Sequence, residues 1–427
     1  MDGFEYHDGV LYGENVALTA VARRFGTPTY VYSRRAFISH YERLTRAFAE
    51  LHPKICFSVK SCHNLHILRL LRDQGTAFDV VSGGEIRRAI EAGAHPGDIV
   101  FAGVGKTDEE IALAIELGVG CFNVESVAEL EVLAAHAERA RRTVHAALRA
   151  NPDVDALTHP YTTTGKRENK FGIDVERLRE LFVQFKESRW LKVSGVHMHI
   201  GSPVNTPAPY VQALTRVCAA AAEVQAHGVQ IDLINLGGGY GVCYQDDDAP
   251  LLEAYAQAVL PILAGRGWRV LMEPGRSIAA NAGILLTKAL YVKQGRERRF
   301  VVVDAAMTDL LRPALYGAYH FIWPVAPGSA FEPQGHSPTM KLPGAVLVDV
   351  VGPVCESGDF LGKDRWLPPI QRGDLLAVFS AGAYGSVMSS HYNSRPRAPE
   401  VLVEGDCVRL IRRRETYDDL VAAEREV

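Results

Sequence analysis

Lys60 directly follows the apolar run Ile-Cys-Phe-Ser-Val at residues 55–59. A cation ending a buried strand is costly to desolvate unless it is bonded or neutral. A Schiff base meets that requirement, because it turns the amine into a covalent carrier. Such a lysine can equally extend into solvent, so the residue alone does not decide. Further on, Asp79 precedes Ser82-Gly83-Gly84-Glu85, and His197-Met198-His199 precedes Gly201-Ser202. Gly237-Gly238-Gly239-Tyr240-Gly241 follows another apolar run, and Glu273, ahead of Pro274-Gly275-Arg276-Ser277, closes one more. The glycine run offers peptide N–H groups unobstructed by Cβ atoms, as a phosphate loop requires. It lacks the G-x-x-x-x-G-K-[ST] pattern, which argues against a triphosphate. Glu273 and Arg276 put a carboxylate and a guanidinium at one strand end, as a surface ion pair or as ligand-binding groups. The His-x-His pair invites a metal reading, but a metal needs three or more ligands and no later strand end supplies them. A phosphate-bearing cofactor accounts for more of these residues than a metal does.

The elements that must position them alternate. Strand-like apolar runs fall at residues 55–59, 77–81, 99–102, 121–124, 144–149, 193–199, 231–236 and 270–273, with amphipathic helical spacing between them. Eight alternations in this length predict a (β/α)8 barrel, whose functional residues gather at the C-terminal strand ends. An open doubly wound sheet shares the same alternation, since a count does not show closure. After Glu273 the pattern changes to strand-like runs at 284–290, 299–303, 345–351 and 375–379 between Gly/Pro-rich turns, predicting a mostly antiparallel β domain. The expected organisation is an N-terminal segment at 1–32 packing with the β domain, a barrel at 33–276 and the β domain at 277–427. Residues 325–342, rich in Pro, Gly and Ser, are expected to form an exposed loop. A hairpin around His7-Asp8-Gly9 and a helix over 16–25 are expected near the start.

Length supports this division, because 427 residues exceed one ordinary core. A formal net charge of −4 supplies no field for nucleic acid. No uncharged stretch of about 18 apolar residues predicts a membrane span, and MDGFEYHDGV lacks the apolar core of a signal peptide. Seven scattered cysteines without a C-x-x-C pair fit a reducing cytoplasm better than a disulfide or zinc scaffold.

Taken in order, the strings GTPTYVYS, FSVKSC, FDVVSGGE, NKFGI, GVHMHIGS, INLGGGYG, EPGRS, DLLRPALYGAYH, GPVCESGD, GAYG and HYNSRPRAPEVLV resemble the diaminopimelate decarboxylases, in the alanine-racemase-like class of pyridoxal-phosphate enzymes. The resemblance runs over nearly the whole chain. It implies pyridoxal 5'-phosphate on Lys60, with Asp79 nearby and His199 stacked on its ring. It assigns the phosphate to Ser202, Gly237, Gly238, Gly239, Gly275 and Arg276, and the ring nitrogen to Glu273. It implies that Arg276, Arg312 and Tyr316 bind substrate carboxylate, that Glu356 takes the distal ammonium, and that Tyr384 touches both cofactor and substrate. Cys355 would return a proton to the substrate, from a neighbouring subunit's β domain, in an obligate homodimer. Phe57-Ser58, Ser61-Cys62 and Pro203 depart from the usual residues at these places without removing an assigned group.

The chemistry suits those groups. A carboxylate at Glu273 keeps a ring nitrogen protonated and electron-withdrawing, whereas racemases resembling this class place an arginine there. A free thiol is mostly protonated at neutral pH and can deliver a proton, although buried cysteines often serve only as small hydrophobes. Arg312 together with Glu356 suits a substrate charged at both ends and favours meso-diaminopimelate over ornithine or arginine. A non-catalytic carrier of the same cofactor would not need the second domain, and a metal-dependent barrel hydrolase lacks its ligands.

Overall fold

The computed structural model describes residues 3–156, 158–162, 164–165, 170–246, 249–425 and 427. Asn169, which opens the NKFGI motif, lies outside them. Two compact units result: one comprises Tyr41–Gly241 and Ala249–Ser277, the other Met1–His40, Val242–Asp248 and Ile278–Val427.

In the first unit eight parallel strands pair in sequence. They are Lys54–Ser58, Ala77–Val80, Ile99–Phe101, Cys121–Val124, Val144–Asn151, Leu191–Met198, Leu233–Asn235 and Arg269–Met272. The eighth pairs with the first, so the sheet closes into a barrel and the open-sheet alternative is excluded. Side chains alternate across each strand, and that alternation orders the interior. Cys56, Ala77, Val100, Cys121, Ala147, Leu233 and Leu271 form one buried apolar cluster. Their sequence neighbours Phe57, Phe78, Phe101 and Phe122 are fully buried too, and by alternation they face the surrounding helices. Small residues inside and phenylalanines outside suit a narrow barrel wrapped in helices.

Helices between the strands start at polar caps. The Ser82 hydroxyl accepts the Glu85 N–H ahead of Gly83–Glu91, and Thr107 and Glu110 form a reciprocal capping box ahead of Asp108–Leu117. At the sixth strand the register slips between Val193 and Gly195. A Cβ on Gly195 would meet that of Ala147 at 2.8 Å, so only glycine fits.

The second unit is built on a sheet ordered Phe360–Leu367, Val346–Val351, Arg299–Val303, Gly283–Gln294, Thr29–Ser33, Glu400–Glu404 and Cys407–Arg412. Leu375–Val378 and Ile322–Pro324 extend it from Gly283–Gln294. Most pairings are antiparallel. Thr29–Ser33, all five residues buried, lies between Gly283–Gln294 and Glu400–Glu404. The N-terminal segment thus supplies an interior strand of this sheet. The expected hairpin joins Phe4–His7 to Val10–Gly13, with Asp8 and Gly9 both at positive φ (51° and 73°), as a two-residue hairpin turn requires. The early helix begins at Leu18, two residues later than the periodicity suggests, because Val16–Ala17 pairs as a strand. Residues 325–342 are less exposed than their composition predicts. Val325 is fully buried, Trp323 Nε1 donates to Phe331 O at 2.9 Å, and His336 stacks on Phe321 at 4.4 Å. Aromatic contacts outweigh the loop-like composition here. Among the described residues no helix is long and apolar enough to cross a membrane.

Candidate active site

Two residues beyond the apolar cluster, on the same inward face, the strands become polar. Cys56 is followed by Ser58, Ala77 by Asp79, Cys121 by Asn123, Ala147 by Arg149, Leu233 by Asn235 and Leu271 by Glu273, and all six are buried. His197 joins them, in register with Arg149 and Asn235. A period of two therefore builds a polar ring at the C-terminal mouth.

Glu273 is the centre of this ring. Oε1 accepts hydrogen bonds from Asn123 Nδ2 and Asn235 Nδ2, each at 2.6 Å, and Oε2 lies 3.2 Å from His197 Nε2. Burial by itself raises the pKa of this carboxyl, but His197, Lys60 and the Asn235 amide together hold it well below the usual carboxylate range. The site keeps a charged carboxylate in a buried setting.

Lys60 lies just past the first strand, in the one-turn helix Val59–Ser61 rather than on the strand itself. The turn is closed by Cys62 N–H donating to Val59 O at 3.1 Å and Ser61 Oγ donating to Ser58 O at 2.8 Å. Lys60 Nζ is 2.9 Å from Asp79 Oδ2, and its side chain is 37% exposed, so the amine reaches the barrel mouth. Asp79 also accepts from Ser58 Oγ at 2.6 Å. Burial raises the Asp79 pKa, and Lys60 opposes that rise.

His199 stands just beyond the end of the sixth strand. Its Nδ1 accepts the Gly238 N–H at 3.2 Å, which requires a neutral ring with its proton on Nε2. Burial, with Arg149 and Lys60 nearby, lowers its pKa well below the ordinary histidine value, in agreement with that tautomer. Arg149 pairs with Glu125 at 2.6 Å and donates to His199 O at 3.1 Å, so it fixes the backbone under the ring.

The glycine run is enforced by packing. A Cβ on Gly237, Gly238 or Gly239 would fall 2.3, 2.0 or 2.1 Å from the carbonyl oxygens of Met198, Glu273 and Gly201 respectively. A Cβ on Gly275 would come within 3.0 Å of the Ser58 and Ser61 side chains, so the fit is tight. This gives the serine at position 58 a role the sequence reading lacked: small enough for Gly275, it still bonds Asp79. Arg276 Nε donates to Ser202 Oγ at 3.0 Å.

Pyridoxal phosphate fits these residues. The peptide N–H groups of Gly239 and Gly275 have no acceptor among the described residues, and neither Asp79 Oδ1 nor Ser277 Oγ, both buried, has a partner. Open donors near Ser202 and Arg276 suit a phosphate, an amine beside Asp79 suits a carbonyl carbon, and the Glu273 carboxylate suits a pyridine nitrogen.

One barrel end thus gathers Lys60, Asp79, His199, Ser202, Gly237, Gly238, Gly239, Glu273, Gly275 and Arg276. Arg312, Tyr316, Cys355, Glu356 and Tyr384 belong to the other compact unit. There Arg312 is buried, with Nη1 donating to His320 Nε2 at 2.8 Å and its guanidinium 4.5 Å from the Tyr244 ring. Tyr316 ends the short helix Arg312–Tyr316. Tyr384 holds a left-handed backbone, φ 55°. Cys355 and Glu356 are exposed on the loop joining Val346–Val351 to Phe360–Leu367. Sequence reading missed Ser58, Asn123, Arg149 and Asn235, and it left His197 without a role. The signal was present: each polar residue sits two places after an apolar inward one.

Glu85 offers a stability test. Its carboxyl accepts the Val81 N–H at 2.9 Å, and burial raises its pKa to about 7. A raised carboxyl pKa contributes stability that is complete below about 4.5 and lost as pH rises through about 7. Glu85→Gln, which keeps the acceptor without the charge, should stabilise the protein by on the order of 1–3 kcal/mol at pH 8 and by nothing at pH 4. Denaturant unfolding at the two pH values checks this, and an equal effect at both would refute the assigned burial cost.

Residues 34–280 match the family model described as pyridoxal-dependent decarboxylase, pyridoxal binding domain, which puts this barrel in the class of pyridoxal-dependent decarboxylases. The chain is 46% identical to the diaminopimelate decarboxylase of Pseudomonas aeruginosa, over 99% of each chain. It is also 46% identical to that of Neisseria meningitidis serogroup A, over 97% of this chain and 98% of the relative. The crystal structure of Helicobacter pylori diaminopimelate decarboxylase complexed with L-lysine superposes with a TM-score of 0.89 at 39% identity, covering 96% of this chain and 99% of that one. The chain belongs to the diaminopimelate decarboxylase family.

Proposed function

We propose that this protein decarboxylates meso-diaminopimelate to L-lysine and carbon dioxide, the last step of lysine formation. The observation that carries the reading is the buried, charged Glu273 at the end of the eighth strand, in a chain whose full-length relatives bear that activity's name. The lysine bound to the Helicobacter pylori relative is the expected product.

Pyridoxal phosphate, when bound, supplies an electron sink for the pair of electrons left at the α-carbon as carbon dioxide departs. Lys60 would hold it covalently, with Asp79 orienting the amine. Ser202, Gly237, Gly238, Gly239, Gly275 and Arg276 would hold the phosphate. Glu273, kept ionised by Asn123, Asn235 and His197, would hold a proton at the ring nitrogen. The neutral His199 ring offers a flat face without a competing charge. Arg276, Arg312 and Tyr316 would bind substrate carboxylate and Glu356 the distal ammonium, with Tyr384 touching both substrate and cofactor. The Cys355 thiol would then return a proton to the α-carbon. In this reading the barrel at 33–276 binds the cofactor, and the β domain at 277–427, with the segment 1–32 packed against it, supplies the remaining groups. All seven cysteines are free thiols, which suits the cytoplasm. Carbon dioxide release measured across diaminopimelate stereoisomers, lysine, ornithine and arginine tests the substrate. Turnover of ornithine or arginine in preference to the meso isomer would overturn it.

We also propose a homodimer in which Cys355 and Glu356 of one subunit serve the Lys60 site of its partner. Exposure of both residues on a hairpin loop supports this, since a two-fold pairing would give two equivalent shared sites. Mixing inactive Lys60→Ala and Cys355→Ala chains should restore activity. A mixed dimer holds one site with both residues intact and one with neither, so recovery approaches about a quarter of the wild-type level when half the dimers are mixed. A mixture that stays inactive while subunits demonstrably exchange would rule the sharing out.

A further inference from the structure

The loop that carries Cys355 and Glu356 is held from two sides. On the inner side stands Asp359, buried, with Oδ1 accepting the Met307 N–H and Oδ2 the Val354 N–H, each at 2.6 Å. A Cβ on Gly352 would sit 2.4 Å from Asp359 Oδ2, so the loop closes around that carboxylate only with glycine there. Backbone bonds from Glu356 N–H to Val354 O (2.8 Å) and from Asp359 N–H to Glu356 O (3.1 Å) complete a tight turn.

On the outer side stands a second turn, Tyr392–Ser394. Asn393 (φ 55°, ψ 27°) and Ser394 (φ 52°) take two successive left-handed conformations. That geometry is costly for a side-chain-bearing residue, and Asn tolerates it better than most. The turn is pinned to its own unit by Ser390 N–H donating to Thr308 O (3.0 Å), Arg395 Nη2 to Asp304 O (2.8 Å) and Arg397 N–H to Glu415 (3.0 Å). From this fixed base Asn393 Oδ1 accepts the Cys355 N–H at 3.0 Å. The Glu356 carboxylate raises the pKa of the neighbouring Tyr392 phenol. One side chain of this turn therefore holds the backbone of the other.

We propose that Asn393 is a positioning residue for the decarboxylation: its carboxamide fixes the peptide that presents the Cys355 thiol. This rests on the reading of Cys355 and Glu356 as substrate-facing groups. An exposed hydrogen bond between two surface turns contributes little to global stability, so the strained backbone at Asn393 is better explained by what it holds in place. Proton delivery to one face of a carbon tolerates little displacement of the donor. Loosening the Cys355 peptide therefore slows turnover more than it weakens substrate binding, whereas loosening Glu356 alone weakens binding.

Two variants separate the carboxamide from the backbone. Asn393→Gly keeps the left-handed turn and removes the acceptor, and Asn393→Asp keeps an acceptor oxygen. In Asn393→Gly, amide hydrogen exchange at Cys355, followed in peptides covering 353–358, should speed up about tenfold at unchanged melting temperature, with kcat down about tenfold and KM altered much less. Asn393→Asp should restore slow exchange and most of the turnover. Glu356→Gln should instead raise KM for a substrate with a distal ammonium while leaving Cys355 exchange slow. The proposal is overturned if Asn393→Gly shows wild-type exchange and turnover while Cys355→Ala is inactive. A fully active Cys355→Ala would instead overturn the role given to the thiol, independently of the exchange result.

Discussion

Lys60→Ala should lose covalently held pyridoxal phosphate and lower turnover by about three decades or more, since no other group can replace a covalent amine. The reason is local. The Val59–Ser61 turn puts one amine at the barrel mouth, 2.9 Å from a buried carboxylate. Lys106, whose side chain is buried in the barrel, is occupied by the carbonyls of Gly103 and Asn123 and by Glu129. Borohydride reduction followed by peptide mapping should place the cofactor on Lys60 in the wild-type protein and nowhere in the variant. Labelling of Lys106 or any other lysine would overturn the assignment. Asp79 should remain after the substitution as a buried carboxylate without its cation. Its pKa, already raised by burial, should rise further, and stability should fall at high pH more than at low pH.

Glu273→Gln should retain the cofactor and slow decarboxylation by about two to three decades, the usual loss when a charge-assisted hydrogen bond that strengthens in the transition state is removed. The substitution is nearly isosteric, but its consequences follow from the neighbours. Asn123 and Asn235 both donate to Oε1, so the Gln carbonyl oxygen can occupy that place. The amide nitrogen then takes the place of Oε2 beside His197 and would offer a bound pyridine nitrogen N–H donors in place of an acceptor. A ring nitrogen facing a donor does not keep its proton. Absorption spectra of the bound cofactor, compared with kcat across pH, separate this electronic effect from lost binding. Unchanged turnover would show that the ring proton is controlled from elsewhere. Asn235→Leu, which removes one amide from the same carboxylate, should shift turnover in the same direction by less.

Much of the site was legible before any tertiary structure was considered. Lys60, His199, the glycine run and Glu273 all sit where apolar runs end, and polar groups at such ends have few other reasons to be there. The alternation of strands and helices favoured a barrel over an open sheet without deciding between them, and the change of texture after Glu273 marked a different kind of sheet. These properties are local, because they depend on residues within one strand or one turn. Closure of the barrel was not legible, since it is decided by Arg269–Met272 pairing with Lys54–Ser58 over two hundred residues away. Nor was the placing of Thr29–Ser33 as an interior strand between Gly283–Gln294 and Glu400–Glu404. The charge state of Glu273 belongs to the same class. A carboxylate before Pro-Gly-Arg is only an acid in the sequence, and burial alone would neutralise it. Its ionisation depends on Asn123, His197 and Asn235, which reach it from three other strands, and only closure of the sheet brings those three strand ends within reach of its carboxylate. The sequence by itself determined which groups could do chemistry and which elements carry them. Tertiary structure decided which of those groups share a dielectric environment, because pKa and hydrogen-bond geometry depend on neighbours in space rather than along the chain.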